Sequence, residues 1–249
     1  MSENSKQPFS EKAAERGEPS YVWRAGQERR LGMVRQWAGD RINGFVLENG
    51  CGVGEYLERF SRDTRMAVGI DVEYPRLLEA KLKNDHLVCA VGENLPFKRD
   101  LFDLVLSNEV IEHVRDDRQA LAESARVMRE GGRLALFCPN RGYPFETHGI
   151  YVRDEYRFGN KLFVNYLPRI CRDKLAPHVR VYSRRNLKEL FADVPVEIIH
   201  RTTIFGAYDN IIQKWPAVGK AIRGLLQFLE RTPLRALGLS HFWVVEKKS

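Results

Sequence analysis

The chain has 249 residues and a formal net charge of +7, with 43% hydrophobic and 29% charged residues. That composition suits a globular chain with a sizeable core and excludes disordered, collagen-like and disulfide-framework proteins. No apolar run approaches the roughly 18 residues of a bilayer span. The first twenty residues lack the apolar segment of a secretory signal. Four scattered cysteines, Cys51, Cys89, Cys138 and Cys171, form no C-x-x-C pair and read as reduced thiols of a cytoplasmic protein.

Residues 1–20 read as a flexible arm and 21–249 as a single domain. Leu31, Val34 and Trp37 predict a helix over 21–37. Apolar strands follow at Phe45–Leu47, Met66–Ile70, Leu87–Val91, Phe102–Leu106 and Leu134–Phe137, with helices over 55–60, 76–83 and 118–128 between them. Gly131 and Gly132 are expected to end the last of these helices. The strands are apolar throughout instead of alternating, the pattern of a parallel sheet covered on both faces. After Pro139 the rhythm stops for some forty residues. It resumes with a helix capped by Ser183, a strand at Val196–His200, a helical segment after Pro216 and a last strand at Phe242–Val245. The expected fold is α/β, a doubly wound, mostly parallel Rossmann-like sheet with an antiparallel C-terminal strand. It carries a core over 45–140, an insertion over 141–182 after the fifth strand, and a helical insertion over 208–240.

The first strand runs into Glu48-Asn49-Gly50-Cys51-Gly52-Val53-Gly54-Glu55. Glycines there permit a tight turn and close approach of a ligand, at the place where open α/β sheets bind nucleosides. A dinucleotide fold needs a third glycine or alanine at position 55. Glu55 in the first helical turn would repel a pyrophosphate, and Glu48 adds a second negative group. Such a loop suits a cationic ligand without phosphate, and S-adenosylmethionine is one.

Several further strings join this loop: Gly69-Ile70-Asp71, Glu93-Asn94-Leu95-Pro96-Phe97, Phe102 to Val114, Ala125 to Met128, and Gly131 to Leu134. Together, over 46–140, they resemble the class I S-adenosylmethionine-dependent methyltransferases, in the branch of the ubiquinone and menaquinone biosynthesis enzymes. The resemblance implies a methyltransferase with S-adenosylmethionine as cofactor. It implies that Asp71, followed by Val72, accepts the ribose hydroxyls, and that Asn49, Gly50, Gly52 and Gly54 let the backbone approach the ligand. Glu48 would sit near the ammonium, Gly92, Glu93 and Asn94 would border the adenine, and Asn108 would line the methionine end. The family usually has Asp at 48 and often an acid where Val91 stands. Glu109, Glu112 and His113 match a string that holds a divalent metal in some relatives, and it can equally cap and pack a turn; no metal is assigned to it.

The acceptor is expected in the insertion. There Glu146 and His148 are the candidate catalytic pair, His148 taking a proton and Glu146 orienting it. Seven aromatics over 143–166 alternate with Arg153, Arg157 and Lys161, and residues 150–185 hold nine basic against three acidic residues. This points to a small or lipid-like, anionic acceptor; an RNA acceptor and an inactive cofactor-binding protein are the alternatives. No nucleic-acid-binding module is recognisable. Tyr21 to Arg24 either close over the ligand, with Arg24 toward its carboxylate, or leave Trp23 packed on the core and Arg24 exposed. Val218, Ile222, Leu225, Leu226 and Leu229 form one helical face, expected to pack in the core, with peripheral membrane contact as the second reading.

Overall fold

The computed structural model describes residues 22–153 and 155–248; the expected arm over 1–20 lies outside them. Helix α1 (Ala25–Ala38) begins where the Gln27 side chain accepts the Arg24 N–H, and buries Leu31, Val34 and Ala38. The core then follows as β1 (Phe45–Asn49), α2 (Glu55–Phe60), β2 (Met66–Asp71), α3 (Tyr74–Ala80), β3 (Leu87–Cys89), β4 (Phe102–Asn108), α4 (Asp117–Val127) and β5 (Met128–Pro139). Asp116 caps α4, its carboxylate accepting the Gln119 N–H at 3.0 Å.

The segment after Pro139 is built from two small hairpins. In one, β6 (Phe145–Glu146) pairs with β9 (Lys161–Leu162); in the other, β7 (Ile150–Val152) pairs with β8 (Glu155–Arg157). Helix α5 (Arg169–Leu175) follows. Alternation resumes with α6 (Arg184–Leu190), capped by Ser183 as expected, and β10 (Val196–Ile204). Then come α7 (Asp209–Lys214), α8 (Pro216–Leu229), a 3-10 turn over Pro233–Leu237 and β11 (Ser240–Lys247).

The seven-stranded sheet has the order β10-β11-β5-β4-β1-β2-β3. Strands β1 to β5 are parallel, and β11 runs antiparallel to both β5 and β10. Successive side chains enter opposite cores. Leu47, Val105, Leu136 and Trp243 pack beneath α4 and α6 with Leu121 and Leu187. Val46, Leu104, Phe137 and Phe242 pack beneath α1, α2 and α3 with Val34, Phe60 and Leu77. This two-faced burial is why the strands lack alternation in sequence.

Three expectations need correcting. Gly131 and Gly132 do not end α4, which stops at Val127; they lie within β5, where the register against β4 slips. Gly131 has φ +68°, and a Cβ on Gly132 would lie 2.9 Å from the Phe102 carbonyl. The third strand ends at Cys89, because only Leu87 to Cys89 find partners on β2. The apolar face of α8 is not core-packed: Gly219 is its one buried residue.

Phe242 is fully buried and stacks on Phe137 at 4.5 Å between ring centroids. Phe242→Ala is expected to lower unfolding free energy by about 3–5 kcal/mol, read as a shifted urea midpoint at constant slope.

Candidate functional site

At β1 the strand order reverses, with β2 on one side and β4 on the other, and a crevice opens at the carboxyl ends. A cavity of about 950 Å³ occupies it. The chain leaves β1 in a turn held by β2: the Gly50 and Cys51 N–H groups both donate to the Ile70 carbonyl, at 2.9 and 2.8 Å. Gly50 has φ +78°, and a Cβ there would lie 2.4 Å from a Val110 methyl. The next N–H, of Gly52, donates to Asp71 at 2.9 Å. Asp71 also accepts from the Glu73 N–H, so it fixes the turn from the end of β2.

Glu48, Asn49, Gly50, Gly52, Asp71, Val72, Gly92, Glu93 and Asn108 all line the cavity, as the sequence leads one to expect. Two expected residues do not. Gly54 starts α2 in the left-handed region and packs against Ala80, and Asn94 is exposed on the turn behind the cavity wall. Glu93 lines the cavity, but one carboxylate oxygen accepts the Arg115 N–H at 2.7 Å and thereby ties down the loop after β4.

Glu48 is buried, and its Oε2 has no hydrogen-bond partner among the described residues. Burial pushes this carboxyl well above the usual range, with Asp71 and Glu55 adding to the effect against the Leu57 N–H. Glu55, by contrast, pairs with Lys83 and Arg59. Its charge is compensated, so the case against a diphosphate rests on Glu48. A buried carboxylate oxygen with no partner, beside a glycine turn, fits the ammonium end of S-adenosylmethionine; Asp71, at the end of the neighbouring strand, suits hydroxyls.

Arg30 and Tyr56 also line the cavity, and sequence reasoning missed both. Arg30 donates to Asn108 Oδ1 at 2.6 Å, Glu109 Oε1 at 2.8 Å and Ser240 Oγ at 2.9 Å, and lies over the Phe137 ring. It joins α1, β4 and β11 at one point. Arg24 reaches the cavity wall. Trp23 packs on Tyr56 and under the Arg59 guanidinium; Tyr21 lies outside the described residues.

The insertion contributes His148 to the same cavity. Its Nδ1 lies 3.0 Å from Glu146 Oε1, which also accepts the His148 N–H at 2.9 Å. Glu146 Oε2 accepts from the buried Arg172 at 2.7 Å. Burial opposes ionisation of Glu146, but the His148 hydrogen bonds and charge and the Arg172 guanidinium outweigh it, and its pKa falls to about 2. A neutral His148 ring that donates through Nδ1 leaves Nε2 as an acceptor. Arg172, the support behind the pair, carried no sequence signal.

Beside His148 lies His113, with ring centroids 5.5 Å apart; burial, then His148, lowers its pKa to about 4. One ligand atom each from Glu112, His113 and His148 lie within 4.8 Å of one another, close enough to share a cation. Glu109, from the string singled out in sequence, is instead held by Arg30 and Ser240. None of the seven insertion aromatics lines the cavity. Tyr151 and Tyr156 pack around His178, while Phe158, Phe163 and Tyr166 are exposed.

Residues 47–136 match the family model described as a methyltransferase domain. The uncharacterised methyltransferase YcgJ of Bacillus subtilis is 30% identical over 216 residues, covering 83% of this chain and 78% of that protein. A ubiquinone biosynthesis O-methyltransferase of Nitrobacter winogradskyi is 31% identical over 147 residues, 53% of each chain. The chain thus spans about half the length of that quinone-pathway relative. Among solved structures, an S-adenosylmethionine-dependent methyltransferase from Mesorhizobium loti shares the fold, with a TM-score of 0.61 at 14% identity over 88% of this chain and 98% of that one.

Two measurements follow from the buried charges. Glu146→Leu removes the nearer carboxylate from the buried Arg172, leaving it the longer 3.6 Å contact to Asp173, and is expected to cost about 3–5 kcal/mol in urea unfolding, most of it restored by Glu146→Leu with Arg172→Met. His113 and His241 both have pKa values lowered by burial, from 6.5 to about 4. The unfolded chain takes up these protons first, so stability falls as pH drops from 6.5 to 4. Glu146, depressed from 4.5 to about 2, withdraws its contribution as pH falls between those two values. Urea titrations across pH check both stages, and His113→Gln is expected to flatten the upper one.

Proposed function

We propose that this chain, which belongs to the class I S-adenosylmethionine-dependent methyltransferases, methylates a small or lipid-like acceptor carrying an acidic hydroxyl group. Its cofactor is S-adenosylmethionine, which when bound supplies an electrophilic methyl carbon on a sulfonium.

The chain's own residues divide the work as follows. Glu48 Oε2 would accept from the cofactor's ammonium, a contact that favours the ionised form of that carboxyl. Asp71 accepts from the ribose hydroxyls while bracing the Gly52 N–H. The cofactor's carboxylate meets the Arg24 end of α1. Asn49 packs against Gly92 and, with Val72, Glu93 and Asn108, completes the wall. Residues 141–182 act as the acceptor lid. His148 Nε2 takes the acceptor's proton, and Glu146 stabilises the imidazolium that forms. Arg172 keeps Glu146 ionised and fixed. Ile204, Phe205 and Leu239, on the same cavity wall, offer an apolar surface to the body of the acceptor. The names of the quinone-pathway relatives support an acceptor of this amphiphilic kind.

The observation that carries the reading is the unpartnered Glu48 oxygen beside the glycine turn. Calorimetry with adenosylhomocysteine, which bears the same ammonium, tests it. The ammonium needs an ionised Glu48 and burial raises that carboxyl's pKa, so affinity is expected to fall as pH drops. That dependence disappears in Glu48→Gln. No heat with adenosylhomocysteine, together with heat from NAD, overturns the assignment.

His148→Ala is expected to lower turnover by about 10²–10⁴-fold while adenosylhomocysteine binding persists. The assay is methyl incorporation into metabolite and lipid extracts, with total RNA as the contrasting acceptor. A fall of less than about tenfold removes His148 as the base.

A further inference from the structure

Helix α8 has an apolar face that the other described residues cover only in part, leaving Ile222, Leu226 and Leu229 half-buried. Val218, Leu225 and Phe228 are 54, 60 and 61% exposed, and Trp215, just before the helix, is 56% exposed. They recur at helical spacing along one side, while Lys220 and Gln227 occupy another. The helix has no acidic residue. In the 3-10 turn that follows, Leu234 and Leu237 are exposed as well. Single exposed apolar side chains need no explanation, but a continuous stripe of this size does.

The charge beside the stripe identifies what it meets. Arg235 lies on the same 3-10 turn, and Arg184 lies close enough to both Arg235 and Arg201 for their charges to act on it. None of the three has an ion-pair partner among the described residues. Three uncompensated guanidinium groups next to exposed leucines suit phosphate headgroups above acyl chains. Trp and Phe could stack on RNA bases, but the Val and Leu side chains between them have no such partner there. Residues 1–21 are rich in charge and poor in large apolar side chains, so they complement it badly.

The stripe is also joined to the cavity. Phe205, Gly206, Ala207 and Asp209 line the cavity and lead directly into α7 and α8. Asp209 accepts the Gly26 N–H, and Glu230 at the end of α8 accepts from Arg29 and from the Phe205 N–H.

We propose that α7, α8 and the following 3-10 turn form a docking surface for an anionic membrane, with Trp215, Val218, Leu225 and Phe228 entering the interface and Arg184, Arg201 and Arg235 contacting headgroup phosphates. The surface then delivers an amphiphilic acceptor to the cavity mouth from the lipid side. Only this delivery step rests on the function proposed above; the docking itself does not. Among the described residues no helix is long and apolar enough to cross a membrane, so the contact is peripheral.

Flotation with phosphatidylcholine vesicles, with and without phosphatidylglycerol, tests the surface in the full chain. Binding is expected only with phosphatidylglycerol, weakening as salt rises, with a blue shift of tryptophan emission. Leu225→Glu with Phe228→Glu is expected to reduce partitioning at least about tenfold. Its adenosylhomocysteine heat and thermal midpoint are expected to stay at the wild-type values. Arg184→Gln with Arg235→Gln, which leaves the apolar stripe intact, is expected to weaken binding and flatten its salt dependence.

Absence of binding at low salt overturns the proposal, as does wild-type binding by both variants. A concentration-dependent dimer in ultracentrifugation, broken by the glutamate variant in a chain that ignores vesicles, assigns the stripe to a second copy and overturns it too. Displacement from vesicles by RNA but not by soluble anionic lipid headgroups makes RNA the partner instead. Lost vesicle binding with intact adenosylhomocysteine heat sinks the docking surface alone. Lost adenosylhomocysteine heat in the wild type sinks the proposed function.

Discussion

The site depends on one main-chain arrangement. The Ile70 carbonyl receives two successive N–H groups from the turn after β1, and Asp71 receives the next. Strand β2 therefore shapes the loop that leaves β1, and the parallel pairing of the two strands sets its position to the ångström. The turn is possible because Gly50 adopts a positive φ with Val110 pressed against it. Once it is made, Glu48 has nowhere to go but inward, where burial and neighbouring acids hold it in a state that a cationic ligand relieves.

A second constraint meets the first from the opposite side of the crevice. The insertion places His148 over the cavity on a carboxylate that is itself anchored by a buried guanidinium. Each member supports the next: Arg172 is held inside the protein chiefly by Glu146, with Asp173 and the Val179 carbonyl beside it, and Glu146 by its donors. The chain thus devotes a costly buried ion pair to fixing the orientation of one imidazole. Nothing in the two hairpins that carry it, which are only two or three residues long per strand, would otherwise give comparable rigidity.

How much of this the sequence reveals depends on the range of the interaction. Apolar runs such as Phe102–Leu106 and the glycine turn at 50–54 are local patterns, and they announce the buried parallel sheet and the crevice. Glu146 and His148 stand two residues apart and are equally legible. Arg30 and Arg172 are not, because their meaning lies in partners 78 and 26 positions away. Gly131 and Gly132 mislead because glycine serves both helix ends and irregular strands, and only the register of β4 on β5 distinguishes them. The insertion aromatics mislead for a related reason: their density signals packing, but the sequence does not say whether they pack against a ligand, one another or solvent. The face of α8 is visible in the sequence, whereas its exposure among the described residues is a tertiary fact.

Arg29 and Arg30 are adjacent on α1 and reach in different directions. Arg29 grips Glu230 where α8 ends; Arg30 grips Asn108 and Glu109 where β4 ends. The hairpin of α7 and α8 therefore cannot swing outward without either parting the first pair or pulling α1, and with it the second. A force applied at the outer helices thus reaches the crevice by two routes, along α1 and through the Phe205–Asp209 segment that lines it.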